Sequence, residues 1–281
     1  MNHSLIPEDE KERMNQLQKF QILDTLPENA FDELTKLTHL VCGGQICLIS
    51  FIDHQRQWIK SKRGTNIEQI SRDISFCALT ILQNDVFEIV DALKDESLRN
   101  HPFVTDPPTI RWYAGAPLIT RGGFKIGTLC VLGDTPQRLS LLQREALVSL
   151  AKQVVNLLEL REREIQLRKQ TKELENLFDL SLELICIAGV DGYFKYLNPA
   201  WTIVLGYSEE ELKSQPLTHF IHPDDILKTL EEIEKLKQGE LTINFSVRFY
   251  AKDKTYRELN WFAYPEEKGE KIFAIARDIT K

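Results

Sequence analysis

The side chains in this 281-residue sequence that could carry chemistry are few, and most of them stand apart. His219, His222 and Asp224 have the residue types of a zinc or haem site at short spacing, but three donors do not complete a tetrahedral set, and no metal is expected. Cys42, Cys47, Cys77, Cys130 and Cys186 are odd in number, contain no C-x-x-C pair and mostly sit in apolar runs such as QICLISFI and GTLCVL, so they read as buried reduced thiols. Asp91, Asp95, Arg99 and Arg111 put opposite charges on or beside one long connection, which suits either an ion network that pins the loop or contact with a ligand. Trp58, Trp112, Tyr113 and Trp201 could stack on a planar ligand, although filling core is the favoured reading.

Catalytic signatures fail one by one. His3, His39, His54, His101, His219 and His222 precede Ser, Leu, Gln, Pro, Phe and Pro, so none is followed by the acidic residue of a kinase phosphoacceptor helix. A Gly-rich ATP lid, a Gly-Gly-Asp-Glu-Phe cyclase loop and a Walker loop are all missing, and Gly122-Gly123 leads into a strand without the Lys-Ser/Thr pair that grips phosphate. No catalytic centre is expected within this chain.

The elements that must position these residues fall in a readable order. A helical stretch over 8–26 runs into a turn at Leu26-Pro27, and a second helix over 30–41 is stopped by Gly43-Gly44. Residues 45–53 and 57–62 predict a hairpin, 75–82 a short helix and 86–90 a strand; 91–108 is a long irregular connection of the kind that forms binding loops. A second hairpin, 112–119 with 124–132, closes a first α+β unit.

From Leu141 the sequence has no Gly or Pro until Gly189, and its middle, ELREREIQLRKQTKELEN, is nearly a charge ladder. Leu150, Leu157, Leu160, Leu167, Thr171, Leu174 and Phe178 approximate a 3-4 seam broken by Glu164, which predicts a connecting helix over 141–180 that pairs as a parallel homodimer. Beyond it, two short strands flank Val190-Asp191-Gly192, helices open at Asn198-Pro199 and at Ser208, a third runs from His222 to Gly239, and 241–250, 255–264 and 271–278 form a closing meander. The fold class is therefore α+β: two antiparallel-sheet domains joined by a long coiled-coil-like helix.

Composition agrees with two domains, since 42% of residues are hydrophobic. A net charge of −7 argues against nucleic acid as a partner. No apolar run approaches the roughly 20 residues of a membrane span, and MNHSLIPEDEKERMNQ lacks the apolar centre of a signal peptide, so no membrane partner and a cytoplasmic location are expected.

Residues 8–163 resemble the GAF family through ILDTLPENAFDELT, RQWIKSKRG, SRDISFCALTI, Asn100-His101-Pro102 and YAGAPLITRGGFKIGTLCVLGDTPQRL. Residues 174–281 resemble a PAS domain through LFDLSLELICIAGVDGYFKYLNPAW, LGYSEEEL, FIHPDD and the ending Ala276-Arg277-Asp278-Ile279-Thr280. The resemblance implies a small-ligand pocket in each: in GAF between the sheet and the loops over 75–113, with Cys77, Asp91, Asp95, Arg99, Arg111 and Tyr113 as candidate contacts, and in PAS between the sheet and the helices after Asn198, with Asn198 and Trp201. It also implies that Asp278 and Thr280, residue types that cap a helix, lead into an output domain in cis. The expected function is a signal-sensing input module of a cytoplasmic two-component histidine kinase, binding a small molecule or sensing redox or partner state and transmitting it through a dimeric helix; the same module on a diguanylate cyclase, or a stand-alone interaction protein, are the alternatives.

The resemblance also bears on cofactors. Bilin-binding relatives often carry His two residues after the loop cysteine, where this chain has Leu79, and the flavin-binding PAS branch needs a reactive Cys that does not follow Asn198. The ligand is left open, with no covalent bilin, flavin or haem expected. The Asn-Lys-x-Asp motif of cyclic-nucleotide-binding GAF domains is missing, and Cys42 with Cys47 is a poor substitute for the paired thiols of methionine-sulfoxide-reducing GAF enzymes.

Overall fold

The computed structural model describes residues 6–266 and 270–280, so His3 and Lys281 lie outside the described residues. The chain divides into two compact units, the first ending at Leu167 and the second beginning at Arg168.

In the first unit, α1 (Glu10–Lys19) and α2 (Asn29–Cys42) precede a six-stranded antiparallel sheet. Gly43 ends α2 at φ +76, a conformation that favours glycine, and returns its N–H to the His39 carbonyl. The strands are β1 (Ile46–Ile52), β2 (Arg56–Arg63), β3 (Gln69–Ser71), β4 (Phe87–Ile89), β5 (Trp112–Ile119) and β6 (Lys125–Gly133), in the order β3-β2-β1-β6-β5-β4. Both faces are covered, which is why QICLISFI reads as one apolar run. Cys47, Ile49 and Phe51 of β1 join the core with Leu17, Phe31 and Leu147, while Ile46, Leu48 and Ile52 face the opposite core with Phe76, Cys77 and Tyr113.

Two short helices, α3 (Phe76–Thr80) and α4 (Pro102–Thr105), lie on the second side, so the connection expected to be wholly irregular contains one helical turn. Helix α5 (Leu141–Leu180) starts from a reciprocal cap: the Gln143 N–H donates to Ser140 Oγ at 3.3 Å, and the Ser140 N–H to Gln143 Oε1 at 3.0 Å. Its buried residues Leu147, Ala151, Val154, Val155 and Leu158 keep helical spacing and stop there.

The second unit has the sheet order β8-β7-β11-β10-β9, built from β7 (Leu184–Gly189), β8 (Phe194–Leu197), β9 (Thr242–Tyr250), β10 (Tyr256–Pro265) and β11 (Lys271–Asp278). Between β8 and β9 come α6 (Ala200–Leu205), α7 (Glu209–Ser214) and α8 (Ile226–Lys237). Ser208 and Glu211 form a full capping box on α7. The helix expected to start at His222 is instead a 3-10 turn over Pro223–Asp225 followed by α8, with His222 Nδ1 accepting the Asp224 N–H at 3.2 Å. His222 is thus a cap, and among the described residues no group of three or more His, Cys, Asp or Glu is placed to hold a metal. Tyr196, Ile243, Phe262, Tyr264 and Ile275 are exposed. No described helix is long and apolar enough to cross a membrane.

One buried ion cluster makes the first unit acid-sensitive. Glu10 accepts from Arg13 Nε at 2.8 Å and from Arg72, while Arg13, with no exposed surface, also donates to the Ile52 carbonyl at 2.7 Å. Burial alone would raise the Glu10 carboxyl, but the bonds and charges of the two arginines outweigh it and hold it at about 2, against an ordinary 4.5. A depressed folded value means that this stabilisation is fully present above pH 4.5 and is lost as pH falls through about 2. It is worth on the order of 2 kcal/mol, below the full linkage figure because the carboxylate keeps some contact with water. In denaturant titrations the stability gap between wild type and Glu10→Gln is expected to be largest at neutral pH and to shrink towards pH 2; a gap independent of pH would remove the assignment.

Candidate functional site

Each sheet carries a small cavity against one of its faces. In the first unit a cavity of about 50 Å³ is lined by Ile46, Leu48, Gln57, Phe76, Cys77 and Tyr113, closed by Phe103, Pro108 and Ile110 from the long connection. That connection lies over α3 because the His101 ring packs at a tilt against Phe76, 4.6 Å between ring centres, and Phe103 packs beside both. His101 Nδ1 accepts the Phe103 N–H at 3.2 Å, which fixes the neutral tautomer with the proton on Nε2, and burial lowers its pKa.

Of the candidates named from sequence, Cys77 and Tyr113 line this cavity and the four charged residues do not. Asp91 pairs with Arg111 through Nε at 2.9 Å and Nη2 at 2.8 Å. The Arg111 guanidinium holds the Asp91 carboxyl below its ordinary value. Since the Ala92 N–H also donates to the Arg111 carbonyl, this pair clamps the two ends of the loop together. Asp95 accepts the N–H and hydroxyl of Ser97 at 2.8 and 2.6 Å, a local turn, and Arg99 is exposed. Asp91, Asp95 and Arg111 thus make contacts within the loop, and the loop side chains that line the cavity are apolar.

Beside the cavity, Cys77 and Tyr113 belong to a polar network between α3 and the sheet, most of whose other members do not line it. Tyr113 Oη lies 2.6 Å from Thr80 Oγ1 and 3.5 Å from Cys77 Sγ. Ser50 Oγ lies 3.6 Å from the same sulfur, accepts from Gln57 Nε2 at 3.0 Å and sits 3.1 Å from Thr128 Oγ1. Cys130 Sγ is 3.7 Å from Cys77 Sγ. Sequence reading missed Ser50, Thr128 and Cys130. The available signal was a hydroxyl inside each apolar run, QICLISFI and GTLCVL, at positions that alternation places on the same face as Cys130.

In the second unit a cavity of about 70 Å³ is almost wholly apolar, lined among others by Cys186, Phe194, Ile233, Val247, Phe249 and Trp261. It has room for a few heavy atoms. Asn198 and Trp201 do not line it. The Asn198 amide accepts the Ile185 N–H at 2.9 Å and donates to the carbonyls of Phe178, Ser181 and Glu183 at 3.2, 3.3 and 2.9 Å. Trp201 has no exposed surface, donates Nε1 to the Ile185 carbonyl at 3.0 Å and packs on Phe194, Phe249 and Trp261. Both expected contacts are instead structural: Asn198 ties the end of α5 to β7, and Trp201 fills core.

The residues expected to carry dimerisation and signalling divide. Leu157 and Leu150 are partly buried against the first unit's core, whereas Leu160, Leu167 and Leu174 are each more than half exposed. Asp278 accepts the N–H of Thr280 at 2.9 Å, and Thr280 Oγ1 accepts the Glu258 N–H at 2.8 Å, so the end of β11 is fastened to β10.

These two architectures match known families. A GAF domain model matches residues 26–158 and a PAS fold model residues 194–276, and the chain is a GAF domain followed by a PAS domain, the pairing found in sensory input regions. A cyclic di-GMP phosphodiesterase of Pseudomonas aeruginosa is 40% identical over 131 residues, which cover 47% of this chain and 22% of that protein. The probable diguanylate cyclase DgcE of Escherichia coli is 33% identical over 88 residues, 30% of this chain and 8% of that one. The chain thus spans less than a quarter of either relative. A chain of the Escherichia coli DhaR(N)–DhaL complex superposes with a TM-score of 0.56 over 96% of this chain and 87% of its own length; at 14% identity the likeness is one of fold.

Proposed function

We propose that this chain is the sensory input region of a protein that makes or degrades cyclic di-GMP, and that the state of its GAF and PAS cavities is passed through α5 to an output domain in cis. The observation that carries this reading is α5 itself. One face of its first half packs in the GAF core and its far end is tied by Asn198 to the strand that opens the PAS sheet, so one helix is a structural part of both sensors. Both curated relatives are named for cyclic di-GMP chemistry, which favours the cyclase or phosphodiesterase output over the histidine kinase expected from sequence.

The same proposal includes a parallel homodimer. Leu160, Leu167 and Leu174 recur at the heptad interval, with Leu177 one turn on, all exposed on an otherwise charged helix. A parallel pair would place like domains together and bring both Thr280 residues to one end, as a symmetric output dimer requires.

Reading the coding sequence beyond Lys281 tests the output directly. A domain that forms or hydrolyses cyclic di-GMP is expected. A phosphoacceptor helix with His followed by Glu would restore the kinase reading, and a stop codon would leave the chain as an interaction protein.

A further inference from the structure

The Cys77 and Cys130 thiols face each other in the GAF core, one on the short helix α3 and the other in the middle of β6, with their sulfurs 3.7 Å apart. A disulfide needs about 2.05 Å, so the sulfurs must close by roughly 1.7 Å to bond. The surroundings of the two sulfurs differ. Cys77 receives donation from Tyr113 and Ser50, and behind them Thr80 and Gln57 extend the chain of hydrogen bonds. Burial pushes the Cys77 thiol up, but hydrogen bonds from Cys130, Thr128, Tyr113 and Ser50 outweigh it and bring it below its ordinary value, while Cys130 is raised by its bond to Cys77 and by burial. Cys77 is the readier nucleophile of the two, and it is Cys77 that lines the cavity, whose volume of about 50 Å³ admits a molecule little larger than water. Cys42, Cys47 and Cys186 are pushed up by burial, with no comparable set of donors.

We propose that Cys77 and Cys130 form a peroxide-reactive site that closes to an intramolecular disulfide. The Cys77 sulfur attacks one oxygen of hydrogen peroxide; an S–O bond forms, the O–O bond breaks, and the departing hydroxide leaves as water with the proton released by Cys77. The Cys130 sulfur then attacks the Cys77 sulfenic acid; an S–S bond forms, the S–O bond breaks, and the second hydroxide leaves as water with the proton of Cys130. Two thiols and one peroxide give one disulfide and two waters, with two electrons passing from sulfur to oxygen. Closing the pair draws α3 towards β6, and because Phe76 of α3 carries His101 and Phe103, the loop clamped by Asp91 and Arg111 must follow. This names a signal for the GAF unit and rests on the input reading only in being a signal; the sulfur chemistry stands or falls by itself.

The test is to expose the full chain to near-stoichiometric hydrogen peroxide, unfold it, alkylate the remaining thiols and map the peptides by mass spectrometry. The expected result is a linked Cys77–Cys130 peptide, with alkylated cysteines falling from five to three and Cys42, Cys47 and Cys186 unchanged. In Cys130→Ser, dimedone should label Cys77 instead, and Ser50→Ala should slow the first step severalfold while reaching the same disulfide. Five alkylated cysteines in the wild type, a link through any other cysteine, or no dimedone adduct on Cys77 in Cys130→Ser would overturn the site. If the disulfide forms but hydrogen exchange of residues 91–111 is identical in the oxidised and reduced chain, the chemistry stands and its use as a signal fails.

Discussion

Replacing Gly127 by alanine is expected to abolish the cooperative unfolding transition of the GAF unit and to leave that of the PAS unit in place. Gly127 lies in β6 opposite Phe51 of β1, and an added Cβ would overlap the Ser50 carbonyl oxygen and sit 3.0 Å from the Phe51 Cα. Both are backbone atoms. β1 is held on its other side by β2, and β6 by β5, so neither strand can retreat without breaking a second ladder. Overpacking a core typically costs about 1–3 kcal/mol. With two central strands displaced as well, about 4 kcal/mol or more is expected, a large share of the 5–15 kcal/mol that typically holds a domain together. Calorimetry should show two transitions in the wild type and one in Gly127→Ala. A variant keeping both transitions at wild-type temperatures would mean that the close approach of β1 and β6 is wrong.

Asn198→Ala is expected to destabilise the PAS unit by about 3 kcal/mol and to release the segment between α5 and β7. Asn198 is 1% exposed and its amide serves the Ile185 N–H and three carbonyls, so alanine removes a partner from one part-buried donor and three part-buried acceptors, of which the Glu183 carbonyl keeps the Ser181 hydroxyl. Each such orphaned group costs about 1–3 kcal/mol unless water reaches it. Hydrogen exchange should accelerate at Ile185, while the GAF unit keeps its protection. A variant within about 0.5 kcal/mol of wild type would show that water replaces the amide, and that Asn198 does not fasten α5 to the sensor.

Much of the fold was legible because its signals are local. The hairpins at 53–56 and 190–192, the stop at Gly43 and the Ser208 cap each lie within a few residues of the element they define. The candidate site was less legible because its contacts are distant in sequence. Cys77 and Cys130 are 53 residues apart, and nothing near either one indicates the other. Asn198 looked like a pocket residue at the mouth of a helix, yet its partners are carbonyls 15 to 20 residues upstream. Lys60 reads as an ordinary polar strand position but is buried, held by Thr25, Leu26 and Glu28. The four loop charges had the right types for binding; Asp91 and Arg111 pair with each other, because a long connection over a small cavity needs pinning before it can bind anything.

The claim that α5 carries signals between symmetric partners is tested most directly by the oligomeric state of the chain and of its Leu160→Lys/Leu167→Lys variant, measured by light scattering at tens of micromolar. The wild type should be a dimer. The variant should be a monomer with both unfolding transitions intact, because a lysine in the seam would bury a charge without a counterion, and because neither leucine belongs to a domain core. A monomeric wild type would contradict the account, as would a variant that still dimerises, which would move the contact away from α5 and towards exposed apolar residues such as Phe262 and Tyr264.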